Sequence, residues 1–139
     1  MSEEWSKEEQ LRKACYNREL DDAKELIEEG VDVESRNRYG WTPLMYAAES
    51  GHVDIVRLLL DHGANIHSKN DCGNTALHRA AFNGHDEVVK LLIERGANLH
   101  VRNHRDFTPL DEAKHTSHGN FSTEAIIRVA MKSIKGKNF

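Results

Sequence analysis

Apolar residues along the chain keep a helical spacing in two kinds of segment, one short and one long. In the short segment, Leu44, Ala47 and Ala48 share the inner side of a helix that ends at Gly51, since glycine adopts a left-handed turn without a Cβ clash. Six of the eight residues in the longer segment, 53–60, are apolar, which is too many for a helix with one buried stripe. We therefore predict a short helix, a turn and a second helix that neighbouring elements cover.

The same pattern recurs every 33 residues. Residues 40–48, GWTPLMYAA, match residues 73–81, GNTALHRAA, and residues 106–113, DFTPLDEA. The second half of the unit, residues 51–67, likewise matches residues 84–100. A fixed period of this length indicates a stack of units, in which each unit buries its apolar face against its neighbours.

Residues with capping and turn chemistry mark the boundaries of each unit. A threonine precedes the first helix of three units, where its hydroxyl can accept a hydrogen bond from an unpaired N–H group of the first turn. Pro43 and Pro109 follow in two units, at a position where proline removes only a donor that had no partner. An asparagine five residues before each threonine can cap a tight turn through nearby backbone. The three pairs are Asn37 with Thr42, Asn70 with Thr75, and Asn103 with Thr108.

These motifs resemble the ankyrin repeat, a family with a 33-residue period and a Thr-Pro-Leu-His-x-Ala motif. The resemblance implies an all-α fold, an α-solenoid of stacked helix-turn-helix ankyrin repeats with short β-hairpin-like loops. We predict one ankyrin-repeat domain over residues 1–139. Its units are expected at about 6–34, 35–67, 68–100 and 101–136, and the first and last of them cap the stack.

Residues near both ends support these terminal units. Ser6 and Glu9 have the spacing of a capping box, which predicts the start of the first helix. Leu11 lies one period before the leucine of the next unit, although this first unit lacks the Thr-Pro-Leu motif. After a small insertion at residues 114–121, residues 124–134 are predicted to form the last amphipathic helix.

The sequence departs from the family pattern at a few positions. Asp106 replaces the turn glycine of the other units, where the backbone is expected to be left-handed. Glu34, His67 and His100 stand where the family usually has asparagine. We expect the two histidines to be buried or hydrogen-bonded, which would link folding stability to their protonation.

Composition and charge restrict the class of protein. With 38% hydrophobic and 30% charged residues, the chain is expected to be soluble and globular. Its acidic start is unlike a secretory signal, and no apolar run approaches the ~18 residues that span a bilayer. Cys15 and Cys72 form no zinc motif. We therefore expect no membrane partner and a reducing location, the cytoplasm or the nucleus, with Cys15 buried and Cys72 exposed at a hairpin tip.

Histidines are the main candidates for metal or catalytic chemistry, and nine occur. Four recur with the repeat, which favours a structural role. His78 stands in the family motif, where an imidazole usually bridges repeat loops. His115 and His118 are three residues apart but have no Cys or carboxylate at ligand spacing, and the motifs of hydrolases, phosphate-binding loops and zinc proteases are absent. We predict no enzyme activity, no cofactor and no metal site. The periodic histidines are His52 with His85 and His67 with His100.

Positions that the repeat leaves unconstrained are the candidates for partner contact. They lie at the hairpin tips and on the exposed side of the short helices, which form the concave binding face in proteins that resemble this one. We also place Glu112 and His115 on that exposed side. The predicted partner-binding residues are Arg36, Arg38, Tyr39, Trp41, Tyr46, Glu49, Lys69, Asp71, Asn74, Arg79, Phe82, Arg102, Arg105 and Phe107.

The predicted tips combine arginine and lysine with aromatic residues, although the whole chain has a net charge of −4. Trp, Tyr and Arg dominate interface hot spots, and a basic face favours an acidic segment of a protein partner. The resemblance implies a monomeric, non-catalytic interaction module that acts as an adaptor or an inhibitor. The alternative is binding of nucleic acid or another polyanion through the basic tips, which would depend strongly on salt.

Overall fold

The computed structural model describes residues 4–116 and 120–137 and shows, within these ranges, eight α-helices and no strands. The all-α repeat solenoid is confirmed. His118 lies outside the described residues. The helices are α1 (Lys7–Tyr16), α2 (Leu20–Glu28), α3 (Pro43–Ser50), α4 (Val53–Asp61), α5 (Ala76–Phe82), α6 (Asp86–Glu94), α7 (Pro109–Lys114) and α8 (Phe121–Lys137).

The helices pack in two layers. Odd-numbered helices contact one another in succession, from α1 to α7, and even-numbered helices do the same, from α2 to α8. Each odd-numbered helix also packs on the even-numbered helix that follows it. We call the first set the inner helices and the second set the outer helices. The result is a stack of helix pairs, whereas the boundaries predicted for the four units stay a prediction.

A continuous apolar core lies between the layers. Leu44 and Leu77 are buried on the inner helices, and Leu59 and Leu92 are fully buried on the outer helices. Alanine pairs on α3 and α5 are buried as well. Because alanine has no side chain beyond Cβ, α3 and α5 can approach each other closely. The burial of Leu59 and Leu92 confirms that the second helices are covered by neighbouring units.

Polar side chains cap the first turns of the inner helices as predicted. The Thr42 hydroxyl accepts a hydrogen bond from the Met45 N–H at 3.3 Å. At α1, Ser6 Oγ accepts from the Glu9 N–H and Glu9 Oε2 accepts from the Ser6 N–H, both at 3.1 Å. This reciprocal capping box satisfies two of the donors that a helix start leaves unpaired. Gly51 ends α3 with φ of 78°, in the left-handed region that glycine favours.

Asparagine side chains hold the hairpin tips. Asn37 Oδ1 accepts from the N–H groups of Tyr39 and Trp41, each at 2.9 Å. Asn70 and Asn103 bond in the same way to the residues two and four positions later. The predicted turn-capping role of these asparagines is confirmed. Asp106, the residue that replaces the turn glycine, has φ of 64°, so this turn keeps the left-handed geometry.

Successive tips bond to one another through the backbone. The Asp71 N–H donates to the Tyr39 carbonyl at 3.0 Å, and the His104 N–H donates to the Cys72 carbonyl at 2.9 Å. A Cβ atom added at Gly73 would lie 2.8 Å from a ring carbon of His104 and 3.1 Å from its backbone nitrogen. Glycine is therefore required at this tip by the close approach of the next one.

His78 bridges two units. Its Nδ1 accepts from the Thr75 N–H at 3.1 Å, and its Nε2 lies 2.9 Å from the Phe107 carbonyl oxygen. The neutral tautomer with its proton on Nε2 satisfies both contacts. The side chain is fully buried, and this desolvation lowers the pKa of His78 below its ordinary value. The bridging role predicted for His78 is confirmed.

The prediction for His67 and His100 was wrong. Both side chains are exposed, and among the described residues only their backbone N–H groups are bonded, at 2.9 Å, to the side chains of Asn65 and Asn98. Those asparagines form the local turns, so the histidine rings are left to point into solvent. The buried imidazole of this fold belongs to His78 instead.

The predicted exposure of Glu112 was also wrong. Its side chain is only 3% exposed and accepts a hydrogen bond from Asn103 Nδ2 at 3.1 Å. The amide of Asn103, at the tip, lies against α7 and covers the Glu112 carboxylate. His115 is exposed as predicted. The last helix, predicted over residues 124–134, begins earlier and ends later, at Phe121–Lys137.

The two cysteines occupy the environments predicted for them. Cys15 is buried, and this burial raises the pKa of its thiol to about 12, so the unreactive thiol form persists at neutral pH. Cys72 is exposed at a hairpin tip. Within the described residues, no helix has the length and the apolar character needed to cross a bilayer.

Leu92→Ala is expected to lower the free energy of unfolding by ~2–5 kcal/mol, because it removes buried apolar atoms and leaves a cavity between outer helices. Val129→Ala is the control, since Val129 is 66% exposed on α8, and its effect should stay within about 0.5 kcal/mol. Urea unfolding followed by circular dichroism measures both changes. Equal small losses would show that Leu92 is not packed between units.

The free energy of unfolding should fall as the pH drops below about 6.5, the ordinary histidine pKa. The folded state disfavours protonated His78, so the unfolded chain binds more protons in the window between the lowered folded pKa and that ordinary value. His78→Gln should flatten the profile between about pH 7 and 5. The double variant His67→Asn, His100→Asn should keep the wild-type slope, and loss of that slope would contradict the assignment to His78.

Candidate partner-binding surface

The predicted contact residues lie on three successive hairpin tips and on the inner helices α3 and α5. We call this surface the tip face. The backbone bonds between tips place the first, second and third tips in a row. Contact of these residues with a partner stays a prediction, but the structure shows which of them are already engaged within the chain.

Aromatic residues form a connected path along the tip face. The rings of Trp41 and Tyr46 are 5.0 Å apart, and the rings of Tyr46 and Tyr16 are 5.8 Å apart and nearly perpendicular. Asn37 Nδ2 donates to the Tyr46 hydroxyl at 2.7 Å, which fixes that ring. The path thus runs from Tyr16 on α1, through Tyr46 on α3, to Trp41 at the first tip.

An ion pair occupies the centre of the tip face. Arg79 Nε donates to Glu49 Oε1 at 2.6 Å, with side chains only 18% and 22% exposed. The Arg79 guanidinium also lies 5.7 Å from the Trp41 ring centre and 4.8 Å from that of Phe82. These four predicted contact residues are therefore brought together, and the charges of Arg79 and Glu49 neutralise each other.

Arg36 connects the first two tips. Its guanidinium donates to the carbonyls of Gly40, at 3.1 Å, and Lys69, at 2.6 Å. Both acceptors are neutral, so the positive charge of Arg36 remains uncompensated. Arg38 is exposed and stacks over the Tyr39 ring at 4.9 Å. The first tip therefore presents two cations whose contacts do not cancel their charge.

The charged and aromatic side chains of the third tip mostly contact other residues of the same unit. Arg102 lies 3.7 Å from the Asp106 carboxylate. The Phe107 ring stacks on His115 at 4.7 Å, and the Arg105 guanidinium lies 4.5 Å from its centre. A partner that contacts the Phe107 ring would have to compete with this packing inside the unit.

The second tip contains Lys69, Asp71 and Asn74. Lys69 and Asp71 are exposed. Asn74 Oδ1 accepts from Asn103 Nδ2 at 2.7 Å, so this predicted contact residue helps to join the second tip to the third. The tip thus offers one cation and one anion to solvent.

A wide groove lies between α1 and the first tip. Its volume is about 1100 Å³, and we call it the N-terminal groove. Trp5 and Tyr16 line it, although neither was predicted at the surface. The signal was available for Tyr16, because it stands one period before Glu49. The basic residues of the groove are Arg12, Lys13, Arg36 and Arg38.

A family model described as ankyrin repeats (3 copies) matches residues 11–120. The chain belongs to the ankyrin repeat family. Ankyrin repeats generally mediate protein–protein interactions and are typically non-catalytic, which agrees with the coarse function expected from the sequence.

Curated relatives share part of this ankyrin array. The proteins called "Ankyrin repeat, SAM and basic leucine zipper domain-containing protein 1" of Mustela putorius furo and Oryctolagus cuniculus are each 46% identical to it over 50 residues. The Mus musculus protein of that name is 44% identical over 50 residues. Each match covers 36% of this chain and 10% of the relative, so the similarity concerns repeat units within much longer proteins.

The pair of Glu49 and Arg79 should show energetic coupling in a double-mutant cycle. With Glu49→Gln and Arg79→Met we expect a coupling of about 1–2 kcal/mol, since both partners are mostly shielded from water. The control cycle uses Asp54→Asn and Arg57→Met, an exposed pair at 3.2 Å on α4, where coupling should stay below about 0.5 kcal/mol. Chemical unfolding of each variant gives these values, and equal coupling in both cycles would contradict the central role of Arg79.

Proposed function

We propose that this ankyrin protein binds an acidic segment of a protein partner through the tip face. It acts as an adaptor or an inhibitor, without chemistry of its own, and as a monomer in the cytoplasm or the nucleus. The observation that carries the proposal is the uneven pairing of cations between the tip face and the outer helices α4 and α6. Family membership supports the coarser part, a protein-interaction module.

Three cations on or next to the outer helices α4 and α6 are compensated nearby. Arg57, Lys90 and Arg95 each lie within 3.3 Å of a carboxylate oxygen. Such exposed pairs add little stability, but each cancels one positive charge. The surface formed by α4 and α6 therefore offers little attraction to an acidic segment.

Cations on the tip face are compensated much less. Among the described residues, no carboxylate lies within 4.0 Å of the charged nitrogens of Arg36, Arg38, Lys69 or Arg105. An incoming carboxylate would gain charge-assisted hydrogen bonds there. Because the whole chain has a net charge of −4, the basic surface is local and favours an anionic segment that docks in one orientation.

Affinity capture with the tagged full chain tests this proposal. Arg38→Glu with Lys69→Glu reverses two exposed charges on the tip face, whereas Arg57→Glu with Lys90→Glu reverses two on the outer helices. Both double variants change the net charge equally. A specific partner, identified by mass spectrometry and then purified for calorimetry, should bind the first variant at least ~10-fold more weakly and the second like wild type. Equal binding by both would contradict the tip face as the interface.

Nucleic acid is the second candidate, favoured by the same basic and aromatic tips. It predicts that mixed-sequence single-stranded RNA binds with an affinity that falls steeply as salt rises. A protein partner predicts weaker salt dependence and sensitivity to Trp41→Ala, since the Trp41 ring joins the aromatic path. Binding of RNA at about 150 mM salt, lost in the tip-face variant, would replace the protein proposal.

A further inference from the structure

Exposed aromatic rings are concentrated in the N-terminal groove. Trp5, Tyr16 and Tyr39 are 48%, 53% and 56% exposed, and all three line this groove. Aromatic rings carry a large apolar area, and burying it on contact favours association. Singly scattered apolar residues need no explanation, but a rimmed cluster of them indicates an interaction site.

Four cations surround those rings. Arg12 donates to Ser35 Oγ at 2.9 Å, and Arg36 donates to two carbonyls, so both guanidinium groups bond to neutral oxygens. Lys13 is 3.8 Å from a Glu19 oxygen and lies 5.8 Å from the Trp5 ring centre. Together with Arg38 they give the groove four positive side chains.

The acidic lining does not balance these cations. Glu4 and Glu9 are the two carboxylates among the lining residues. Glu9 already accepts the Ser6 N–H in the capping box, which holds it at the start of α1. The groove therefore keeps a positive excess beside its aromatic rings.

The remainder of the tip face lacks this combination. Arg79 is neutralised by Glu49 and covered by two rings. Arg102 is paired with Asp106, and Phe107 is stacked between Arg105 and His115. Among the described parts of this face, rings that are about half exposed lie beside unpaired cations in the N-terminal groove, whereas Arg105 lies over the less exposed Phe107 ring.

We propose that the N-terminal groove is the main contact site for an extended acidic segment that carries one bulky aromatic side chain. The aromatic side chain packs on Trp5, Tyr16 and Tyr39, while flanking carboxylates bind Arg12, Arg36 and Arg38. A volume of about 1100 Å³ accommodates several residues of such a segment, as it slightly exceeds the usual range for small-ligand sites. This inference rests on the proposed function and assigns the partner's chemistry and the end of the tip face that it contacts.

Fluorescein-labelled nonapeptides test the two halves of the inference. The probe has a central tryptophan with four glutamates on each side. One control replaces the tryptophan with alanine, and another replaces all eight glutamates with glutamine. By fluorescence anisotropy at about 150 mM salt, the probe should bind the full chain at least 5-fold more tightly than the alanine peptide and at least 10-fold more tightly than the glutamine peptide.

Arg38 and Arg57 provide a matched pair of variants, one in the groove and one on α4, outside the tip face. Both side chains are exposed. Arg38→Glu and Arg57→Glu change the net charge equally. The first should weaken probe binding at least 10-fold and the second less than 2-fold. Equal loss in both would overturn the inference, because attraction to the whole chain would then explain the binding.

Trp5 variants test the aromatic contact independently. Trp5→Ala should weaken binding of the tryptophan probe at least 5-fold and leave binding of the alanine peptide unchanged. Trp5→Phe should retain most of the affinity for the tryptophan probe. Circular dichroism checks that helix content persists in each variant. Equal binding of the probe to wild type and Trp5→Ala would overturn the aromatic half of the inference.

Three further outcomes are decisive. Tight binding of the glutamine peptide, or no binding of any peptide below about 1 mM, would overturn the inference. Concentration-dependent dimerisation in analytical ultracentrifugation that Arg38→Glu abolishes would also overturn it, because a second copy of the chain would then occupy the groove. If a captured protein partner still requires the tip face when the peptides fail to bind, the proposed function stands and only this inference falls.

Discussion

The close approach of neighbouring units is the constraint on which the rest of this structure depends. No single helix pair could bury residues such as Leu59 and Leu92, so each pair relies on the next one for its core. The inner helices meet through alanine, and the tips meet through backbone hydrogen bonds at 2.9 and 3.0 Å. A glycine at the tip is needed for the same reason, since a Cβ at Gly73 would come within 2.8 Å of His104.

This stacking determines what the tip face can present. Capping threonines, tip asparagines and His78 use their polar atoms to hold the turns and to bridge units. The side chains between these fixed positions are available for other contacts, and they differ from unit to unit. The N-terminal groove and the self-paired centre of the face therefore share one backbone pattern and differ in side-chain chemistry.

Much of this architecture could be predicted from the sequence because it repeats. The 33-residue period aligns Leu92 with Leu59 and Cys15 with Ala48, and Leu92 and Cys15 are buried as predicted. The turn at Asp106 was also predictable, since aspartate tolerates a left-handed backbone better than a branched residue does and the tip keeps its asparagine and threonine, Asn103 and Thr108.

The exposure of Glu112 was predicted wrongly because the environment of this side chain depends on one particular neighbour. Tyr46, Arg79 and Glu112 occupy the same position in successive units. Tyr46 bonds to Asn37, Arg79 pairs with Glu49, and Glu112 is covered by Asn103. Periodicity identifies the side of the helix, but the amide or carboxylate that meets each side chain comes from a tip or from a neighbouring helix, as Glu49 on α3 does. The same limitation affects the histidines, since the asparagine two positions earlier decides that His67 remains exposed.

Trp5 illustrates a different limitation. It precedes α1 in a unit without the Thr-Pro-Leu motif, so no family position indicates that its ring belongs to the tip face. Its role is visible only once α1 is packed beside the first tip, because the groove that it lines is formed by both elements.

Stability and binding are therefore separable on this face only where a side chain makes no bond within the fold, and two arginines illustrate the opposite case. Arg36 holds two tips together through carbonyl contacts, and Arg79 fills the centre of the face through its ion pair. Removing either side chain would disturb the surface as well as its charge. Arg38 and Arg105 make no hydrogen bond through their side chains within the described residues, and each guanidinium lies over a neighbouring ring. A change in binding at those two positions can therefore be attributed to charge at a known place on an intact stack.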